Sequence, residues 1–235
     1  GGWRAAAAPP PRAAAPRPAP RAEVIVVDMP GAGQAAVAVA RNGLSRRDPL
    51  FYRALVANAV LGGGYSARLN QEIRIRRGLS YGSGSSLDAR REPGPFLAAT
   101  QTRNDAAAEV LGLILGEMRR LGAEPIPAAE LDARRASLTG DFGRDVETTA
   151  GLAQLVSSYV LRGIDPGELT RYQGAVMAVT PAEAQAAAAG LLRPEGATIV
   201  IVGEAARFLE RLRQSQANVT VIPIADLNLD RPSLR

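Results

Sequence analysis

The run Val24-Ile-Val-Val-Asp-Met-Pro-Gly31-Ala-Gly33-Gln-Ala-Ala36 decides the fold, because it admits two readings that lead to different fold classes. As a strand running into G-x-G-x-x-A it imitates the dinucleotide fingerprint. There a helix starts at the glycines and its first N–H groups meet a pyrophosphate. The next segment here, Ala36-Val-Ala-Val-Ala40, alternates with period two and then meets the turn signal Asn42-Gly43. No strand-ending acid stands about 20 residues on, as the fingerprint requires. The stretch therefore reads as a strand, a hairpin turn at Pro30-Gly-Ala-Gly33 and a second strand.

Working outward, Asp48-Pro49 caps a predicted helix through about Leu61, with Tyr52, Leu55, Val56 and Val60 at helical spacing. Gly62-Gly-Gly64 ends it, and a second helix from Ser66 to Arg77 stops at Gly78, a residue suited to the left-handed cap. Strands near Leu79–Asp88 and Pro95–Thr102 form a hairpin around Arg91-Glu-Pro-Gly94. Helices come next at Asp105–Leu121, at Pro127–Arg162 with a bend expected at Gly140 or Gly143, at Glu168–Val179, and at Pro181–Leu192 with Thr180 as N-cap. Strands at Ala197–Val202 and Asn218–Ile224 flank a helix at Glu204–Gln216. This order is not a βαβ alternation. It predicts an α+β fold, a mostly antiparallel sheet with helices packed on one face. Residues 1–21, with six prolines among alanines and arginines, read as a disordered linker. Residues 22–225 read as one domain and 226–235 as an extended tail.

The net charge of +5 suggests nucleic acid until it is localised. Arg4, Arg12, Arg17 and Arg21 supply four of those charges within residues 1–22, leaving 24 arginines against 23 acids in the rest. A near-neutral body predicts neither nucleic-acid nor acidic-lipid binding. The chain has no cysteine and no histidine, which removes disulfides, thiolate nucleophiles, the commonest general base and the commonest zinc ligands. No apolar run approaches the roughly 20 residues of a membrane-spanning helix. The start at Gly1 without methionine predicts a processed or excised piece. Two local motifs carry no chemistry. Gly62-Gly-Gly-Tyr-Ser66 lacks the lysine of a phosphate loop, and Asp226-Leu-Asn-Leu-Asp230 lacks the glycine and distal glutamate of a calcium loop.

The stretch that could carry chemistry is Arg74-Ile-Arg-Arg-Gly-Leu-Ser-Tyr81. Arg74 lies one turn before the Gly78 stop, and Tyr81 is expected on the succeeding strand, so guanidinium and phenol can converge. Such a pair binds oxygen and can hydrogen-bond an oxyanion, but it does not activate water at neutral pH. Arg76 and Arg77 read as charges complementing the helix end.

The block Asn58-Ala-Val-Leu-Gly-Gly-Gly-Tyr-Ser-Ala-Arg-Leu69, continued by Glu72-Ile-Arg74-Ile-Arg-Arg-Gly-Leu-Ser-Tyr81, resembles the C-terminal domain of the pitrilysin family of metallopeptidases. Pro30-Gly-Ala-Gly-Gln34 and Thr198-Ile-Val-Ile-Val-Gly203 share the likeness, which spans about residues 22 to 205. The resemblance implies the non-zinc half of a two-domain peptidase. Its partner, on another domain or chain, carries H-x-x-E-H and holds zinc. Arg74 would then hold a carbonyl of an extended peptide and Tyr81 the oxyanion. No metal or cofactor is expected in this chain, since the helix at Ala57-Asn58-Ala-Val-Leu61 offers no ligand set. Alone the chain is expected to hydrolyse nothing. Bacterial relatives imply a periplasmic setting. The alternative is a catalytically inactive structural or protein-interaction subunit.

Overall fold

The computed structural model describes Gly2, residues 23–231 and residues 233–235. The linker expected at 1–21 thus lies outside the described residues, Gly2 apart. Six strands form one mixed sheet in the order β3-β4-β2-β5-β1-β6. They are β1 (Val24–Asp28), β2 (Ala35–Asn42), β3 (Ser83–Leu87), β4 (Pro95–Thr102), β5 (Thr198–Gly203) and β6 (Val219–Pro223). Helices α1 (Phe51–Leu61) and α2 (Arg68–Asn70, continued by a π-helical turn Gln71–Arg76) lie between β2 and β3. Then come α3 (Ala107–Ala123), α4 (Ala128–Glu147), α5 (Thr149–Arg162), α6 (Glu168–Ala178), α7 (Pro181–Ala187, continued by Ala188–Leu192) and, before β6, α8 (Leu209–Ser215).

The fold is α+β, with antiparallel pairing from β3 through β4 and β2 to β5 and parallel pairing of β1 with both β5 and β6. The hairpin expected of β1 and β2 is not formed. The turn reverses the chain, but β5 returns from far along the sequence and inserts between them, with Val24 opposite Ile199 and Ala36 opposite Val202. The G-x-G-x-x-A glycines open no helix; Gly31 takes φ +77° in the turn and β2 comes directly after. The strand patterns reflect this placement. Val24 to Val27 are all buried, as a strand in parallel pairing tends to be, whereas β2 alternates between buried and half-buried residues.

The core lies between one face of the sheet and the helices. Val24, Val26, Val37, Val39, Phe96 and Ile201 from the strands meet Val56, Val60, Leu69, Ile73, Leu111, Ile114, Met118 and Leu121 from α1, α2 and α3. Two boundaries differ from expectation. The long helix predicted over 127–162 is two helices, and the break falls at Thr148, not at Gly140 or Gly143. Thr148 is extended and its hydroxyl accepts from Gly151 N–H, so it stops α4 and caps α5. The strand predicted from Leu79 begins only at Ser83. Near the end of the chain Asn228 N–H donates to Leu234 O, and the Arg235 side chain to Val221 O on β6. Among the described residues no single helix is long and apolar enough to cross a membrane.

Candidate functional site

The Arg74–Tyr81 stretch is built by a helix that ends abnormally and a loop that is pinned. From Gln71 the helix widens to π geometry and closes at Gly78, whose φ of +62° suits a residue without Cβ. Gly78 N–H donates to Arg74 O at 3.0 Å and Leu79 N–H to Ile73 O at 2.9 Å, so the exit from α2 is fixed. The loop then lies against β4. Thr102 Oγ1 donates to Leu79 O (2.6 Å), Thr100 Oγ1 donates to Gly82 O (2.8 Å), and Ser80 Oγ meets Thr100 Oγ1 at 2.7 Å while accepting from Gly82 N–H.

Tyr81 stands in this pinned loop, not on the strand. Its side chain projects outward, leaving the residue 88% exposed. Beside it a hollow of about 400 Å³ opens over Ala36, Ala38, Ala99, Ser80 and Gln101. Ala38 and Ala99 are cross-strand partners, so two short side chains make the floor.

Arg74 is half-buried. Its guanidinium carbon lies 5.0 Å from the ring centroid of Tyr65, within cation–π range. Among the described residues it has no carboxylate partner. Its neighbours differ: Arg76 and Arg77 each donate to one oxygen of Glu72 at 2.9 Å. The Arg77 hydrogen bond, with that of Arg76, holds the Glu72 carboxyl below the usual carboxylate range despite partial burial. Arg76 and Arg77 are thus engaged in ion pairs close to the helix end, and do more than complement its dipole. Arg74 and Tyr81 make no hydrogen bond with each other, and Arg74 does not line the hollow beside Tyr81.

Sequence reasoning missed how this region is held to the sheet. Asn58 and Asn70, both buried, tie α1 and α2 to β3. Asn58 accepts from Ser85 Oγ (2.7 Å) and donates to Ser85 O, while Asn70 Oδ1 accepts from Ser83 N–H (3.1 Å). Ser85 N–H donates to Gly62 O at 2.9 Å. A Cβ on Gly62 would stand 2.3 Å from Ser85 N, so the helix end approaches β3 as only glycine allows. The glycine run is therefore a close backbone approach, not merely a break between helices. An asparagine inside an apolar helix was the available signal.

A metal does not fit here. The chain has no histidine or cysteine, and among the described residues no group of three or more acids is arranged to hold a cation.

Comparison with known proteins agrees with this α+β fold. An uncharacterized zinc protease of Streptomyces coelicolor is 28% identical over 159 residues, 68% of this chain and 35% of the relative. The peptidase M16 inactive domain from Pseudomonas fluorescens superposes with a TM-score of 0.72 at 25% identity, over 78% of this chain and 44% of that one. A protease from Helicobacter pylori superposes with a TM-score of 0.75 at 21% identity, over 83% and 47%. The chain thus spans less than half the length of each of these relatives. A family profile described as the peptidase M16 inactive domain matches residues 1–138, more than half of the sequence, and the chain belongs to that family.

Proposed function

We propose that this chain is the complementing half of a zinc peptidase: it binds extended peptide and offers hydrogen bonds to the scissile amide. The zinc and its H-x-x-E-H ligands belong to another domain or chain. Arg74 holds a substrate carbonyl through its planar fork of donors. Tyr81 O–H donates to the amide oxygen as that carbon becomes tetrahedral and the oxygen gathers charge. Neither Arg74 nor Tyr81 abstracts a proton from water at neutral pH.

The observation that carries the reading is the contrast among neighbouring cations. Arg76 and Arg77 are taken by Glu72, whereas Arg74 keeps its donors free of any carboxylate among the described residues, near a loop that presents an outward phenol. None of the Arg74 nitrogens is a buried atom without a partner, so this guanidinium can offer donors to a peptide carbonyl. The hollow beside Tyr81 adds room for a peptide side chain.

The test is reconstitution with an H-x-x-E-H-bearing domain of the same family, with peptide cleavage as the readout. Tyr81→Phe is expected to lower kcat by roughly 10²–10³. A loss well below about tenfold removes the oxyanion role. A second reading, an inactive structural or interaction subunit, is favoured by one observation: Arg74 lies over Tyr65 and not in the Tyr81 hollow. On that reading Tyr81→Phe and Arg74→Ala leave both assembly and cleavage unchanged.

A further inference from the structure

Tyr65 lies in the turn between α1 and α2 and is 65% exposed, so burial does little to hold its ring. Among the described residues the ring makes no hydrogen bond and no contact with another ring. What it meets is Arg74, whose guanidinium carbon lies 5.0 Å from the ring centroid.

The backbone that carries the ring, by contrast, is clamped. Asn70 Nδ2 donates to Tyr65 O at 2.6 Å, and Arg134 of α4 donates to Ser66 Oγ and Ser66 O at 2.8 and 2.6 Å. Ala67 N–H closes the turn on Gly64 O at 3.0 Å. Asn70 is only 3% exposed, and its Oδ1 accepts from Ser83 N–H, so the side chain that fixes Tyr65 also fixes the far end of the Tyr81 loop. A fixed backbone under an otherwise free ring gives that ring one place to act, on Arg74.

The kind of support matters. A carboxylate holds a guanidinium by taking up its N–H donors, as Glu72 does with Arg76 and Arg77. An aromatic face attracts the cation through its quadrupole and, when the two stack, accepts none of the in-plane donors. A flexible arginine also loses rotamer freedom on binding, and a ring that restricts it beforehand reduces that loss. We propose that Tyr65 is a positioning residue for Arg74: its ring holds the guanidinium in place and leaves N–H donors for a carbonyl of the peptide. The inference rests on the peptide-binding role of Arg74 and adds to it the residue that sets its orientation.

The experiment uses the chain reconstituted with an H-x-x-E-H-bearing domain and compares Tyr65→Leu with Tyr65→Phe. Tyr65→Leu is expected to raise KM for peptide about two- to fivefold with kcat unchanged, since Arg74 grips the peptide alike before and during the reaction. Arg74→Ala should raise KM at least as much. Tyr65→Phe keeps the ring face and should match the wild type. In an Arg74→Ala background Tyr65→Leu should change nothing further, because the two side chains act as one unit. In the chain alone, ring currents should displace the Arg74 side-chain NMR signals in the wild type and in Tyr65→Phe, and not in Tyr65→Leu. If Arg74→Ala raises KM while Tyr65→Leu does not, the positioning role is overturned and the peptide-binding reading stands. A Tyr65→Leu effect that persists in full without Arg74 also overturns it. If Arg74→Ala leaves KM unchanged, the peptide-binding reading falls and this inference falls with it.

Discussion

Arg74, Arg76 and Arg77 fall within four positions of one helix end, yet they meet different fates. In the π turn the residue five positions on from Glu72 reaches back as well as the one four on, so Arg77 and Arg76 both pair with it, while Arg74 reaches an aromatic ring. The type and spacing of Arg74 and Tyr81 were legible in the sequence, but the position of Tyr81 off the strand was not. It depends on Thr100 and Thr102 pulling the 79–82 loop onto β4. Because Tyr81 is so exposed, Tyr81→Phe should change folding stability by no more than about 0.5 kcal/mol in denaturant unfolding. Any large effect on cleavage would then be chemical and not structural. Tyr172 behaves differently. Burial, with smaller contributions from nearby groups, pushes its phenol from 10.0 up to about 12. The folded state thus resists ionisation that the unfolded chain permits. The stability this group contributes is complete below about pH 10 and lost as pH rises towards 12. Spectrophotometric titration should find a phenol ionising in that upper range, and the melting temperature should fall across it.

The junction of α1, α2 and β3 is the element on which the site rests. Its outer edge is sealed from within the chain: Gly62 O, Asn70 Oδ1 and Asn58 Nδ2 take the Ser83 and Ser85 backbone groups that an added strand would need. Gly62→Ala would force its Cβ against Ser85 N and Gly84, both backbone, where no flexible side chain can yield. The expected cost is about 1–3 kcal/mol or more, read from the urea midpoint, with hydrogen exchange rising first at Ser83 and Ser85. Some elements were written locally and could be read. Thr180 and Glu183 form a reciprocal capping box at the start of α7, and β4 runs over Pro95–Thr102 as its alternation indicates. Others were not. The break at Thr148 is marked only by a threonine able to cap a helix, whereas Gly140 and Gly143, the stronger breakers by residue type, sit within α4 without interrupting it. The π turn has no local signature at all.

At the scale of the whole molecule, a cluster around Arg46 joins the loop before α1 to the α5–α6 layer. The Arg46 guanidinium lies 3.9 Å from the Phe51 ring centroid and near Tyr52 and Tyr159, and it donates to Tyr52 Oη and Glu168 Oε1. Tyr172 stacks on Phe142 alongside, with centroids 4.4 Å apart. Arg46→Ala leaves an aromatic recess empty and Glu168 with less of its compensation. The expected loss is about 3 kcal/mol, seen as a lowered melting temperature and early exchange of α5 and α6 amides. In the sequence Arg46 is one of an Arg-Arg pair in a loop, and nothing marks it, since its partners in α5 and α6 lie more than a hundred positions away. The same distance hid the insertion of β5 beside β1. That insertion also governs how the protein comes into being. Val24 to Asp28 have no strand neighbour until residues 198–223 have been made, so this apolar, β-branched run leaves the ribosome long before its partners. Non-local closure of this kind is slow and leaves an adhesive segment waiting. A truncation ending at residue 138 would keep β2, β3 and β4 but strand β1 permanently.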